Sequence, residues 1–154
     1  MDNSIFCEYR LKFYLNGNHY LMIGNKKGET HPHTWELVVE ILVKRSEFME
    51  FNVYEKEIEN LIAPYQNKVL NDLHPFDYVL PTLENIVEQF GNQIRYLVKK
   101  NGGRLIRIEG SESPTRSYII SYYTGDDDDE LEMEKYAQST VSSVVDTVLD
   151  GILG

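Results

Sequence analysis

Residues 31–43 read HPHTWELVVEILV. Trp35, Leu37, Val39, Ile41 and Val43 recur at every second position, with Glu36 and Glu40 between them. Side chains of an extended chain alternate between two faces, so this stretch predicts a strand with one buried face. His31 and His33 stand in phase with the apolar row, which places both imidazoles on one side of the strand. A third imidazole, His19, follows Asn16-Gly17-Asn18 and lies twelve residues before His31. If the intervening segment folds back as a hairpin, the three rings meet. Three neutral imidazoles leave a fourth position open for water or substrate, which is the donor set of a catalytic zinc site.

Upstream, Ile5, Cys7, Tyr9, Leu11 and Phe13 alternate with Glu8, Arg10 and Lys12, predicting a half-buried strand over 5–15. Asn25-Lys26-Lys27-Gly28-Glu29 is a polar loop. Downstream, Asn52 with Glu55 three residues on has a capping-box pattern, and Ile58, Leu61, Ile62 and Tyr65 form a helical stripe. Pro81-Thr82 opens a second helix, Thr82 being a suitable N-cap. Leu83, Ile86, Val87, Phe90, Ile94 and Leu97 make its apolar face, and Asn101-Gly102-Gly103 ends it. Two further strands, 104–109 and 117–123, are joined by a Ser/Pro-rich turn. The order ββααββ predicts an α+β domain: an antiparallel four-stranded sheet with both helices on one face.

That domain spans residues 1–125. Residues 126–154 form a separate segment, with the acidic block Asp126-Asp127-Asp128-Asp129-Glu130 ahead of a third helical pattern. Ala137, Val141, Val144, Val145, Val148 and Leu149 share one side of that C-terminal helix, which docks on the domain, pairs with another subunit or grips a partner. The 154 residues carry a net charge of −10, which argues against a nucleic-acid partner. No window reaches the ~18 apolar residues of a membrane span. Met1-Asp2-Asn3-Ser4 lacks the basic and apolar regions of a signal peptide, so a soluble, cytoplasmic protein is expected. The single cysteine, Cys7, has no intramolecular disulfide partner and reads as a buried structural thiol.

Several motifs, taken in order, resemble one family. They are His19, the His31-x-His33 pair, Leu70-Asn71-Asp72-Leu73-x-Pro75-Phe76, Pro81-Thr82-Leu83-Glu84-Asn85-Ile86, and Glu109 near the end of a late strand. From about residue 5 to 123 the chain resembles the 6-pyruvoyltetrahydropterin synthase / 6-carboxytetrahydropterin synthase family. The resemblance implies a tunnelling fold, or T-fold, in which subunits join through sheet edges into trimeric barrels and two trimers stack into a hexamer. It implies sites between subunits, with zinc on His19, His31 and His33, a pterin ring anchored by Glu109, and Thr82 lining the pocket. The family usually has threonine after the anchoring glutamate, where this chain has Gly110.

Two family features are missing. Lys26-Lys27-Gly28-Glu29-Thr30 fills the loop that usually carries a cysteine, and Gln66-Asn67 stands where many members have an Asp-His pair. A branch of the family uses a glutamate in a Glu-Thr sequence instead, releasing the side chain of dihydroneopterin triphosphate. Glu29-Thr30 resembles that motif, one residue closer to the histidines. Glu29 and His74 are the candidates for proton transfer, and Lys26 or Lys27 for meeting phosphates. The expected function is a zinc-dependent pterin synthase-like lyase acting on dihydroneopterin triphosphate. The alternative is a catalytically impaired pterin-binding or regulatory protein on the same scaffold.

Overall fold

The computed structural model describes residues 5–45 and 51–122. The elements in chain order are β1 (Phe6–His19), β2 (Met22–Ile23), β3 (Lys26–Lys27), β4 (His31–Lys44), α1 (Phe51–Ile62), α2 (Leu83–Lys100), β5 (Arg104–Ser113) and β6 (Arg116–Ser121). The expected acidic linker and C-terminal helix lie outside the described residues.

β1 and β4 pair antiparallel along their whole length, from Phe6 opposite Lys44 to His19 opposite His31. The pattern of side chains sets this register. Leu11, Phe13 and Leu15 of β1 are buried on the same face as Trp35, Leu37, Val39, Ile41 and Val43 of β4. A slip of one residue would turn either row into water. β5 and β6 extend the sheet in the order β1-β4-β5-β6, adding Leu105 and Ile108 to the buried face. Both helices cover that face. α1 contributes Tyr54, Ile58 and Ile62, and α2 contributes Leu83, Ile86, Val87, Phe90, Ile94 and Val98. The expected α+β sheet and helix arrangement is therefore present. Cys7 is free and half-buried rather than buried, at the end of β1 far from His19.

Thr82 caps α2 as expected, its side-chain oxygen accepting the Asn85 backbone N–H at 3.1 Å. Asn52 does not cap α1. It already lies inside the helix, which includes Phe51, whereas an N-cap needs a non-helical backbone. The segment between β1 and β4 is also more ordered than a polar loop. β2 and β3 pair through Met22 opposite Lys27 and Ile23 opposite Lys26, and Gly24 turns at φ +62°. Glycine at the first position of a two-residue connection suits such a hairpin, because a type II′ turn takes positive φ there. This hairpin is the fold-back that brings His19 opposite His31.

β5 runs to Ser113 rather than ending at Glu109. Ser111 pairs with Glu36 on one side and Ser117 on the other, so the strand continues into the stretch whose Ser/Pro content suggested a turn. Gly110 of β5 packs directly against α2. A Cβ there would overlap Val87 Cγ2, and Leu37 and Leu83 close the remaining space. Gly110→Ala is expected to cost about 1–3 kcal/mol through overpacking, read by urea unfolding. Adding Val87→Ala should return part of that loss, a coupling of roughly 0.5 kcal/mol or more. Simple additivity of the two substitutions would contradict the packing described.

Candidate metal centre

His19 ends β1 and His31 begins β4, as directly opposed partners in the ladder. His33 lies two residues further along β4, so its side chain returns to the same face. The ring centroids are 4.4 Å apart for His19 and His31, 5.0 Å for His19 and His33, and 4.9 Å for His31 and His33. One ligand nitrogen from each lies within 4.8 Å of the others. The three predicted ligands are thus brought together, His19 at 1% exposure and the other two half-buried.

The hydrogen bonds around the rings decide what the triad presents. His19 Nδ1 is 2.7 Å from the Pro81 carbonyl, and His31 Nδ1 is 2.9 Å from the Glu29 carbonyl. A carbonyl only accepts, so in each ring Nδ1 carries the proton and Nε2 keeps its lone pair. Those two Nε2 atoms lie 2.8 Å apart. Two lone pairs facing each other at that distance repel unless a cation lies between them. A tetrahedral zinc ion with bonds of about 2.0–2.1 Å would set its ligand nitrogens roughly 3.3 Å apart. The donor chemistry therefore fits a divalent metal, which the His19 and His31 rings would take by parting about 0.5 Å. Burial pushes the His19 imidazole below its ordinary pKa, and the nearby His31 and His33 act the same way, while the Pro81 carbonyl and Glu112 oppose them. The neutral, ligating form is favoured.

Trp35 forms the wall behind the triad, edge-on to His19 at 5.0 Å and tilted against His33 at 5.3 Å. Its indole Nε1 donates to Glu112 Oε1 at 3.1 Å. Glu112 is half-buried, on the buried-face phase of β5 with Ile108 and Gly110. Its carboxylate is held beside the histidines, and its charge is felt at His19.

Glu109, the expected ring anchor, is not brought to the triad. It pairs with Val38, between the buried Leu37 and Val39, and so belongs to the sheet face away from the helices. There its carboxylate accepts from Arg107 Nη2 at 3.1 Å, next to an Arg10–Glu40 ion pair. Glu112, which the sequence analysis does not single out, is a carboxylate beside the triad. The signal was available: Glu112 precedes Ser113, a hydroxyl residue, whereas Glu109 precedes a glycine that α2 packing requires.

The remaining candidates are placed as follows. Glu29 gives its backbone carbonyl to His31, and its side chain is exposed. Lys27 lies on β3 with Nζ 4.2 Å over the Tyr20 ring. Thr82 sits immediately after Pro81, whose carbonyl orients His19. His74 is apart from the histidine cluster, exposed, with Nδ1 3.2 Å from Asp77 Oδ1.

Two amides outside the expected set shape the site. Buried Asn71 accepts from the Tyr20 N–H at 2.9 Å and donates to the Tyr20 carbonyl at 3.0 Å, gripping the residue after His19. Gln66 accepts from the Asn16 N–H at 2.9 Å and donates to the Tyr14 carbonyl at 2.7 Å, so its amide closes part of the free edge of β1. Asn67 takes a positive φ of 59° and joins His33 and Thr34 in lining a cleft of about 420 Å³.

Comparison with known proteins places this geometry. The family model described as 6-pyruvoyl tetrahydropterin synthase matches residues 8–122. No curated protein matched the sequence. The 6-pyruvoyl tetrahydropterin synthase of Caenorhabditis elegans shares the fold with a TM-score of 0.66 at 14% identity, over 80% of this chain and 100% of that one. That of Plasmodium falciparum does so with a TM-score of 0.57 at 17% identity, over 79% and 100%. A Plasmodium vivax 6-pyruvoyltetrahydropterin synthase, described as a catalytic-residue mutant with glutamate replaced by alanine, gives 0.55 at 11% identity, over 78% and 99%. The sheet and helices are those of a T-fold shared with these structures, and the chain belongs to the 6-pyruvoyl tetrahydropterin synthase family.

Proposed function

We propose that this protein is a zinc-dependent pterin synthase-like enzyme. It acts on dihydroneopterin triphosphate by eliminating or cleaving the side chain with loss of phosphate or triphosphate. The observation that carries the reading is the pair of Nε2 lone pairs, 2.8 Å apart, with both protonated nitrogens turned away onto carbonyls. His19, His31 and His33 would hold the ion, which supplies Lewis-acid polarisation of the substrate's side-chain oxygens when bound.

The protein's own residues then divide the remaining tasks. Glu112 is the ring anchor in place of Glu109. A carboxylate accepts two parallel hydrogen bonds from the pterin's 2-amino group and adjacent N–H, as it does from arginine. Trp35 engages one of its oxygens and leaves further lone pairs for the ring. Glu29 is the general base. Its support is the Glu29-Thr30 pattern beside His31 and the catalytic glutamate ascribed to the Plasmodium vivax relative. Lys27 meets the phosphates as a point charge, Thr82 lines the pocket, and His74 is the second proton-transfer candidate. The free edges of β1 and β6 would close against further copies of the chain, as a trimer or hexamer.

One observation favours the alternative of a binding or regulatory protein. Gln66 commits both polar atoms of its side chain to the backbone of β1, and an amide at Asn67 does not transfer protons at neutral pH. No Asp-His relay exists at that position. Turnover decides between the readings. Purified protein should contain zinc and convert dihydroneopterin triphosphate. Glu29→Ala should lower kcat by roughly 100- to 10,000-fold with its metal content unchanged. Zinc-loaded protein that binds a pterin without converting it would establish the alternative.

The ring anchor has its own test. Glu112→Gln is expected to weaken pterin binding by roughly 10- to 100-fold in calorimetric titration, with Glu109→Gln leaving it unchanged. The reverse pattern would return the anchor to Glu109. Acid should release the metal, because ligating imidazoles must be neutral. Burial holds the His19 value below the ordinary one, so the neutral form persists to lower pH than for an exposed histidine. Zinc should stay bound at neutral pH and leave only as the pH falls below about 6.5, measured by elemental analysis after dialysis.

A further inference from the structure

The Pro81 carbonyl is the atom that fixes the His19 tautomer, and its own orientation is built by a turn at the start of α2. The Thr82 N–H donates to the Leu80 carbonyl at 2.8 Å, closing a three-residue γ-turn around Pro81. The Pro81–Thr82 peptide is trans, since His74–Pro75 is the only cis bond among the described residues. In a trans peptide the C=O and N–H point in opposite directions. Holding the Thr82 N–H on Leu80 therefore aims the Pro81 carbonyl the other way, onto His19 Nδ1 at 2.7 Å. Proline at the centre fixes φ and brings no competing N–H.

The side chain of Asn85 locks this turn. Its Nδ2 donates to the same Leu80 oxygen at 2.9 Å. In a capping box the side chain at this helix position would accept the N-cap N–H. Here that N–H is already engaged, and Asn85 instead supplies a second donor to the oxygen that engages it. The cap itself is made by the Asn85 backbone, whose N–H donates to Thr82 Oγ1 at 3.1 Å. The side chain is thus not needed to cap α2. What it holds is the carbonyl on which the turn depends.

We infer that Asn85 is a positioning residue for the metal centre. Acting through the Leu80–Pro81–Thr82 turn, it keeps His19 as the tautomer that offers Nε2 to the ion. The inference rests on the metal reading of the triad. Partners that orient a ligating histidine affect metal affinity by about 10- to 100-fold when removed.

The test uses the full chain and two variants. Asn85→Ala removes the donor and keeps the backbone cap. Asn85→Asp keeps the shape and adds a charge that the first turn of a helix favours, yet it cannot donate to Leu80. Both are expected to bind zinc roughly 10- to 100-fold more weakly in chelator competition, with Asn85→Asp unfolding in urea no earlier than the unsubstituted protein. Nitrogen NMR of the metal-free proteins supplies a readout that needs no ion. His19 should be a single Nδ1–H tautomer in the unsubstituted chain and a mixture in both variants. Unchanged zinc affinity and an unchanged tautomer in Asn85→Asp would overturn the proposal. If the unsubstituted chain binds no zinc, the metal reading fails by itself, and the tautomer result still decides whether Asn85 orients His19.

Discussion

The pairing of β1 with β4 is the constraint from which the site follows. Its register must bury two apolar rows at once, and the same phase that buries Leu15 and Trp35 carries Gly17, His19, His31 and His33 to the same face. The histidine triad is therefore an extension of the core pattern beyond the last apolar residue of each strand. Gly17 lets this happen at close quarters, since a Cβ there would come 3.2 Å from the Lys68 carbonyl and 3.4 Å from the Trp35 ring. The histidines take their backbone positions from sheet hydrogen bonds and their ring orientations from carbonyls outside the sheet. Rigid elements hold such sites more accurately than loops do.

Three segments distant in sequence converge on His19. Asn71 grips Tyr20, the Leu80–Pro81–Thr82 turn supplies the carbonyl for Nδ1, and Trp35 ties Glu112 to the histidine cluster. The motifs 70–76 and 81–86 thus act as supports for the imidazoles rather than as direct contributors of ligands. Gln66 shows the converse. Its amide is bonded to the edge of β1, away from the imidazoles, and serves the strand rather than the triad.

The sequence disclosed whatever obeys a local period. Alternation gave β1 and β4 and the common phase of the three histidines. The 3.6-residue repeat and Thr82 gave α2. What it concealed depends on contacts between distant segments or on very short elements. β2 and β3 have two residues each, too few for a period to show. Glu112 is hidden because Gly110 interrupts the apolar alternation of β5 and Ser113-Pro114 resembles a turn, so periodicity alone ends the strand at Glu109. Pairing of Ser111 with Glu36 carries the strand onward, and that pairing is invisible in the sequence of β5 alone. Asn52 failed as a cap because a favourable residue pair is present inside the first turn as well as at its boundary. The roles of Asn71, Gln66 and Asn85 all lie in side-chain bonds to backbone atoms, which no spacing rule reports.

X-ray absorption at the zinc edge of the purified protein addresses the central claim most directly. The account predicts an ion bound by three imidazole nitrogens at about 2.0–2.1 Å with a further light-atom ligand, and the loss of that imidazole signature in His31→Ala. Protein prepared with zinc present that holds no ion, or holds one with fewer than three imidazoles, would contradict it.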